Sequence, residues 1–359
     1  MPLGSTIPGN AELKLRGSDA YVVLEGPLGA VRIGVAFGAD QAEAAIQGST
    51  FELRYGDLLV VAAEEREATV RVPEPDLTVE TEGGTVRVTH GDSTRIATYH
   101  GSAIATLLGE TVPLSPWRQL PLRNGRLPAI AAPIELFATD PVDVFAASDV
   151  LALESELQGL MRGFEAQFGT RLESLDDLAP IERDARLENL VFLRPVLARW
   201  RSGEVIVGLV LSLLFETTAQ MPLAGAFSRV RALLEDQRAS WAVAAVMLGF
   251  EPADVIDRVT RAVALYTGDV TPGQGDPINA PPDQPPPPPP SFQPSPTRSS
   301  SRPSPSPSPS PSRTRRPSPS PSRSPSPSPT PTQSSPSPSP TLPNPSGSCN
   351  PTDQVLGNC

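Results

Sequence analysis

The chain has 359 residues, 45 of them proline, and carries 29 basic against 40 acidic side chains for a net charge of −11. Six arginines against three aspartates give residues 271–359 a net +3, which leaves −14 for residues 1–270. A folded part that acidic argues against nucleic acid and anionic membrane as partners, because repulsion acts before any contact forms.

Thirty of the prolines lie in residues 271–359, so the first 270 residues have globular composition and the rest do not. The opening stretch, MPLGSTIPGNAELKLRG, has neither a basic n-region nor an apolar h-region and is not read as a signal peptide. No membrane anchor is legible either. The most apolar run, Val205 to Phe215, spans eleven residues. That is too few to cross a bilayer and suits a buried helix.

Residues 11–122 read as a β-rich domain. AELKL, AYVVLE, AVRIGV, FELRYGDLLVVA, ATVRV, LTVET, TVRVTH and TRIATY alternate apolar with polar residues or are rich in Val, Ile and Thr. Glycines recur between them, which is the rhythm of a sandwich, barrel or roll. Residues 123–146 read as a Pro- and Ala-rich connector. From Ser148, a candidate N-cap, the period becomes helical. Leu151, Leu157, Leu160, Met161, Phe164 and Phe168 mark one face. Ser174 and Asp177 fit a capping box, and a helix carrying Leu187, Leu190, Val191 and Arg194 is expected after it, broken or kinked at Pro195. Further helices are expected over 204–218, 223–237, 240–249 and from Pro252. Residues 147–270 are thus a bundle of five or six helices, and the fold class is α+β.

Residues 271–348 are a Pro/Ser-rich tail with almost nothing to bury and are expected to be disordered. At ~3.1 Å per residue such a stalk reaches roughly 240 Å fully extended. Residues 349–359, CNPTDQVLGNC, hold the only two cysteines. Cys349 and Cys359 are a candidate disulfide closing a small ring worth about 3 kcal/mol of loop entropy. Free or intermolecularly paired thiols are the alternative. A pair at the tip cannot staple the body, and it favours an oxidising exterior.

In the β part three segments follow in order. FELRYGDLLVV (51–61) is a strand with inner Gly56. ATVRVPEPDLTVETEGGTVRV (68–88) holds a Val-x-Val-Pro turn, Val70 to Pro73, and a Gly-Thr-x-x-Val strand, Gly84 to Val88. STRIATYHGSAIATLLGETVPLSP (93–116) holds a hairpin with Gly101 and a closing turn at Pro116. In this order they resemble the FecR-type domain of bacterial envelope proteins, with Pro116 standing where that family often has glycine. The resemblance implies a location outside the cytoplasmic membrane. In the founding type the domain relays a surface-receptor signal to a sigma factor through a transmembrane segment. With no such segment legible, a binding or scaffold role is expected ahead of a signalling role.

No catalytic, cofactor or metal site is expected. His90 and His100 read as exposed turn residues rather than zinc ligands, since further ligands are lacking. Glu64 to Glu67 reads as a charged hairpin tip, with a cation site as the alternative. Glu182, Asp184 and Glu188 read as a solvated helix face. The acids crowded into 154–188 leave an enzyme with a paired-carboxylate cleft as a further alternative. Trp117, Trp200 and Trp241 read as core or core rim. The expected partner is a protein or the cell wall, not a cofactor.

Overall fold

The computed structural model describes residues 9–36, 38–187 and 189–280. Eleven strands come first: β1 (Asn10–Arg16), β2 (Tyr21–Gly26), β3 (Gly29–Gly34), β4 (Gln41–Gln47), β5 (Thr50–Ala62), β6 (Glu67–Val72), β7 (Leu77–His90), β8 (Thr94–Leu107), β9 (Glu110–Leu114), β10 (Arg118–Pro121) and β11 (Ala132–Pro133). Seven helices follow: α1 (Pro141–Phe168), α2 (Ala179–Ala185), α3 (Arg194–Leu197), α4 (Ser202–Ala219), α5 (Leu223–Arg231), α6 (Trp241–Met247) and α7 (Pro252–Thr267). The fold is α+β.

Three long strands change partners halfway along. The first half of β5 pairs with β4 and, in parallel, with β6; its second half pairs with β3 and β7. β7 divides the same way between β6 and β5. β8 passes from β10 to β9. Glycine makes these corners possible. Gly56 has φ 119°, and a Cβ there would lie 2.6 Å from the Ala42 side chain. Gly101 has φ 68°, and its Cβ would meet the Gly83 carbonyl at 2.6 Å. Strands that bend between layers in this way build a sandwich with one inner core. Phe51, Leu53, Val70 and Val79 from one layer meet Ile33, Leu58, Val86, Val88 and Ile96 from the other.

The run Asp57-Leu58-Leu59-Val60 explains itself at this point. Leu58 and Val60 point into the sandwich, while Leu59 joins the core of the helical part. Ala97 and Tyr99 of β8 do the same beside inward Ile96. The middle of the second layer, in β5, β7 and β8, is therefore buried on both faces, which is why these strands lose simple alternation. Sheet and helices share a continuous core that includes Leu59, Tyr99, Trp117 and residues of α1 and α4 to α7.

Several boundaries differ from the sequence reading. β4, QAEAAIQ, was not expected as a strand; Ala, Gln and Glu are poor strand formers, and pairing with β1 and β5 overrides that weakness. LTVET and TVRVTH are one strand, β7. The segment read as a connector holds β11 and the start of α1, whose N-cap is Asp140 and not Ser148. The helical face begins afresh near Ser148 because α1 is kinked at Ala147, with φ −144° and ψ 32°. Ser174 and Asp177 do form the capping box, on a 3₁₀ turn. The helix expected to carry Leu187, Leu190, Val191 and Arg194 starts only at Val191, as a 3₁₀ turn that runs into α3. α2 ends at left-handed Arg186, and Pro195 opens α3 instead of breaking a helix, since its missing N–H costs nothing in a first turn.

α4 is the central helix, buried continuously from Val205 to Leu214 as an all-apolar helix must be. By length and composition it could span a membrane, yet 67% of that window is buried inside the body. Gly203 lets it press on α1, where a Cβ would meet the Met161 backbone at 2.7 Å. The body also runs past α7. Ile278 is buried, and the N–H groups of Gly273 and Ile278 donate to Asp184 at 3.0 and 3.1 Å. The tail beyond residue 280, with the Cys349–Cys359 pair, lies outside the described residues.

Candidate functional site

The sequence pattern Thr-Val-Arg-Val-Thr on β7 puts Arg87 on the face opposite inward Val86 and Val88. That face is covered by the start of α1, so the guanidinium is only 4% exposed. Its Nε and Nη2 donate to both oxygens of Asp57 on β5, at 2.9 and 2.7 Å. Nη1 donates to Asp143 at 2.9 Å and Nη2 to Asp140 at 2.8 Å. Tyr99 on β8 donates its hydroxyl to the same Asp143 oxygen at 2.6 Å, and the Phe137 N–H donates to the other at 2.9 Å. Thr89 adds a bond to Asp57 at 3.2 Å, and Arg32 stands 4.0 Å from it.

Three carboxylates thus close on one buried guanidinium. Asp140 and Asp143 are the N-cap and first-turn acids of α1, where unpaired N–H groups favour negative charge. Burial opposes the charge on Arg87, yet Asp57 first and Tyr99 and Asp140 with it more than offset burial and raise the guanidinium's pKa. Burial likewise works against Asp140, but Arg87 brings it below the ordinary carboxylate range. Tyr99 is pushed up, by burial first, and remains a donor. Chemically this is a coupling element and not a reactive one, because its donors and acceptors saturate each other and join β5, β7 and β8 to α1.

At the rim of the same junction the surface opens into a cleft of about 580 Å³. Trp117, Arg118 and His100 form its sheet side, and Arg229 with the Val246 to Gly249 turn forms its helix side. A second chamber of about 410 Å³ shares Trp117 and His100 and adds Phe145, Phe250, Asp149 and Glu251. Phe145 is 66% exposed. Trp117 sits at φ 61°, in the left-handed region, held by its N–H to Thr98 and its carbonyl to Ile134.

The residues singled out from sequence fall elsewhere or play other parts. His90 ends β7 half-buried, bonded to Thr94 at 2.8 Å, with its pKa lowered by burial. His100 lies inside β8, not at a strand end, and meets Trp117 edge-on at 5.0 Å. Glu64 and Glu65 are an exposed turn, but not the tip of a hairpin, because the strands it joins, β5 and β6, pair in parallel. Asp184 is not on a solvated face. It is buried, bonded to Arg261 at 2.8 Å, and holds the 273–278 segment to the bundle. Glu188 lies outside the described residues. Of the acids in 154–188, Glu154 accepts the Ala242 N–H, Glu165 pairs with Arg201 and Asp177 serves the capping box. Trp200 donates to Glu235 at 2.8 Å in the core rim, edge-on to Trp241. Among the described residues no three His, Cys, Asp or Glu side chains are grouped to hold a metal ion.

Sequence reasoning missed Asp57, Arg87, Tyr99, Asp140 and Asp143. Two signals were present. Asp57 is the one charge in an otherwise apolar strand half, and Asp140-Pro141 followed by Asp143 is a helix start with proline at the first position.

No protein-family model matches the chain, and no curated protein matches it. Among solved structures, two of a protein provisionally named an anti-sigma factor, from Parabacteroides distasonis ATCC 8503, are similar to part of it. The first, at 1.65 Å, aligns with a TM-score of 0.30 and 12% identity over 35% of this chain and 60% of that one. The second, at 2.50 Å, gives 0.29 and 10% over 45% and 76%. The match thus spans 60% of the length of the first.

Proposed function

We propose that this chain is a non-enzymatic protein-binding module of the bacterial cell envelope. A FecR-like β domain and a helical bundle form its body, and the Pro/Ser-rich segment spaces it from its attachment or partner. The observation that carries this reading is the junction. Helices cover the outer face of the second sheet layer along β5, β7 and β8, and the rim they leave open is an aromatic and cationic cleft. The FecR-like motif order supports it, because its segments fall on β5 to β9 in sequence, with Gly56 and Gly101 at corners. The envelope location rests on that resemblance and on the terminal cysteines. Fractionation of the source organism with protease shaving of intact cells tests it. A protein found only in the cytosol with both thiols free sinks the reading.

The Arg87 network favours a second reading, a sensor whose sheet reports to the helices. Any shift of β5 or β7 must move Asp57 or Arg87, and both are tied to the first turn of α1. A sensor predicts a sigma-factor gene beside this one and altered expression of its targets when Arg87 is replaced. Unchanged expression removes it.

A further inference from the structure

We propose that the junction cleft is a docking groove for an extended acidic segment of a partner protein, its carboxylate seated between Arg118 and Arg229 and a following apolar side chain on Trp117 and Phe145. This names the partner class within the binding-module reading and rests on it.

The first argument is charge. Both guanidinium groups line one cleft. Among the described residues no carboxylate lies within 4.0 Å of either, although acids outnumber bases across the chain. Asp236 borders the adjoining hollow beside Arg118 without pairing to it. Arg118 has only neutral acceptors, the Ala131 carbonyl at 3.0 Å and Gln237 at 2.8 Å. Burial, and then Arg229, lowers its pKa, so the charged form is held without compensation. An arriving carboxylate supplies the missing counter-charge in a partly dehydrated site, where a charge-assisted bond is strong.

The second argument is shape. Two chambers meet across the shared wall of His100, Trp117, Val246 and Gly249, so the groove is long and not a single pit. Phe145 stands free at one side and Phe250 lines the same chamber. A small dicarboxylate would use only the arginine end; a peptide uses both. The third argument is strain. A tryptophan in the left-handed region costs about 1–2 kcal/mol, and such outliers gather at ligand clamps and switch regions. Here the strained residue forms the wall between the chambers. Asp149 and Glu251 at the far end repel a uniformly acidic chain, so the acid must sit at one end of the segment only.

Fluorescence anisotropy on the full chain tests the proposal with three labelled peptides and one unlabelled competitor. They are a peptide with two glutamates followed by Phe and Leu, its Lys-for-Glu version, its Ser-for-Phe/Leu version, and free glutarate as competitor. The Glu-Phe-Leu peptide is expected to bind, and the other two peptides to bind at least about tenfold more weakly. Arg229→Glu, at an exposed site, and Phe145→Ser should each weaken it by about tenfold, with melting curves alongside to check that each variant is folded. Glutarate should not displace it. Equal binding of the Lys peptide, indifference to Arg229→Glu, displacement by glutarate, or no binding near 1 mM overturns the groove. Cross-linking in the envelope fraction separates the two levels. A partner captured equally by wild type and Arg229→Glu leaves the module reading standing and the groove refuted. An envelope fraction that lacks the protein refutes the module itself.

Discussion

Replacing Arg87 by methionine keeps most of the side-chain volume and removes the charge. The guanidinium makes four hydrogen bonds of 2.7–2.9 Å to three carboxylates. Asp57 is 3% and Asp143 0% exposed, so neither can recover water when the guanidinium is gone. Stranding one partner of a buried ion pair costs about 3–5 kcal/mol. For a body of this size each kcal/mol moves Tm by about 2–4 °C, so a fall of roughly 6–20 °C is expected at pH 7. The pH dependence separates charge from packing. Asp140 has a depressed pKa in the fold, so in the wild type it contributes stability that is present above its unfolded value of about 3.9 and lost as pH falls through the lower folded value. The variant lacks that contribution, and protonating its stranded carboxylates relieves the penalty. The gap between the two proteins should therefore narrow as pH falls below about 4 in calorimetric or circular-dichroism melts of the full chain. A gap that is constant with pH, or a loss below about 1 kcal/mol, refutes the account of Arg87 as the charge centre of the junction.

Glycine substitutions in the bundle should diverge. Gly203→Ala drives a Cβ into the Met161 backbone and should cost about 1–3 kcal/mol or more, while Gly159→Ala, in open space on α1, should gain up to about 1 kcal/mol. Urea unfolding of the pair decides it, and similar midpoints would show that α1 and α4 do not cross so closely. Asp184→Ala leaves the buried Ile278 N–H without its acceptor, takes the counter-charge from Arg261 and frees the Gly273 N–H, and should cost about 3 kcal/mol. Hydrogen exchange should show the amides of Gly273 and Ile278 losing protection first, and unchanged protection there contradicts the clasp. Tyr99→Phe removes the 2.6 Å bond to Asp143 and should cost about 1.5–3 kcal/mol without moving the strands, read by thermal melts. A non-reducing peptide map of the exported protein should link Cys349 to Cys359, and two alkylatable thiols there would exclude the ring.

The sequence by itself determined the architecture at the level of elements. Alternation and recurrent glycines marked the β part, because a strand half-exposed to water must alternate. Three-and-four spacing marked α1 and α7, because a helix packs one stripe. Continuous apolar character marked α4 as central. Ser174 with Asp177, and Pro252, were legible because caps act over a few residues. Whatever depended on a distant partner was not legible. β4 is a strand only because β1 and β5 hold it, and LTVET joins TVRVTH because Gly83 and Gly84 let one strand turn between two layers. Asp184 looked like a surface acid because its partners, Arg261 and the N–H groups of Gly273 and Ile278, are more than seventy residues away. Arg87 looked like the solvent side of an alternating strand for the same reason. Only the tertiary structure laid the start of α1 over that face and turned an ordinary polar position into a buried charge with three carboxylates around it. Periodicity tells which face of a strand is polar; which element then covers that face is decided by packing between segments far apart in the chain.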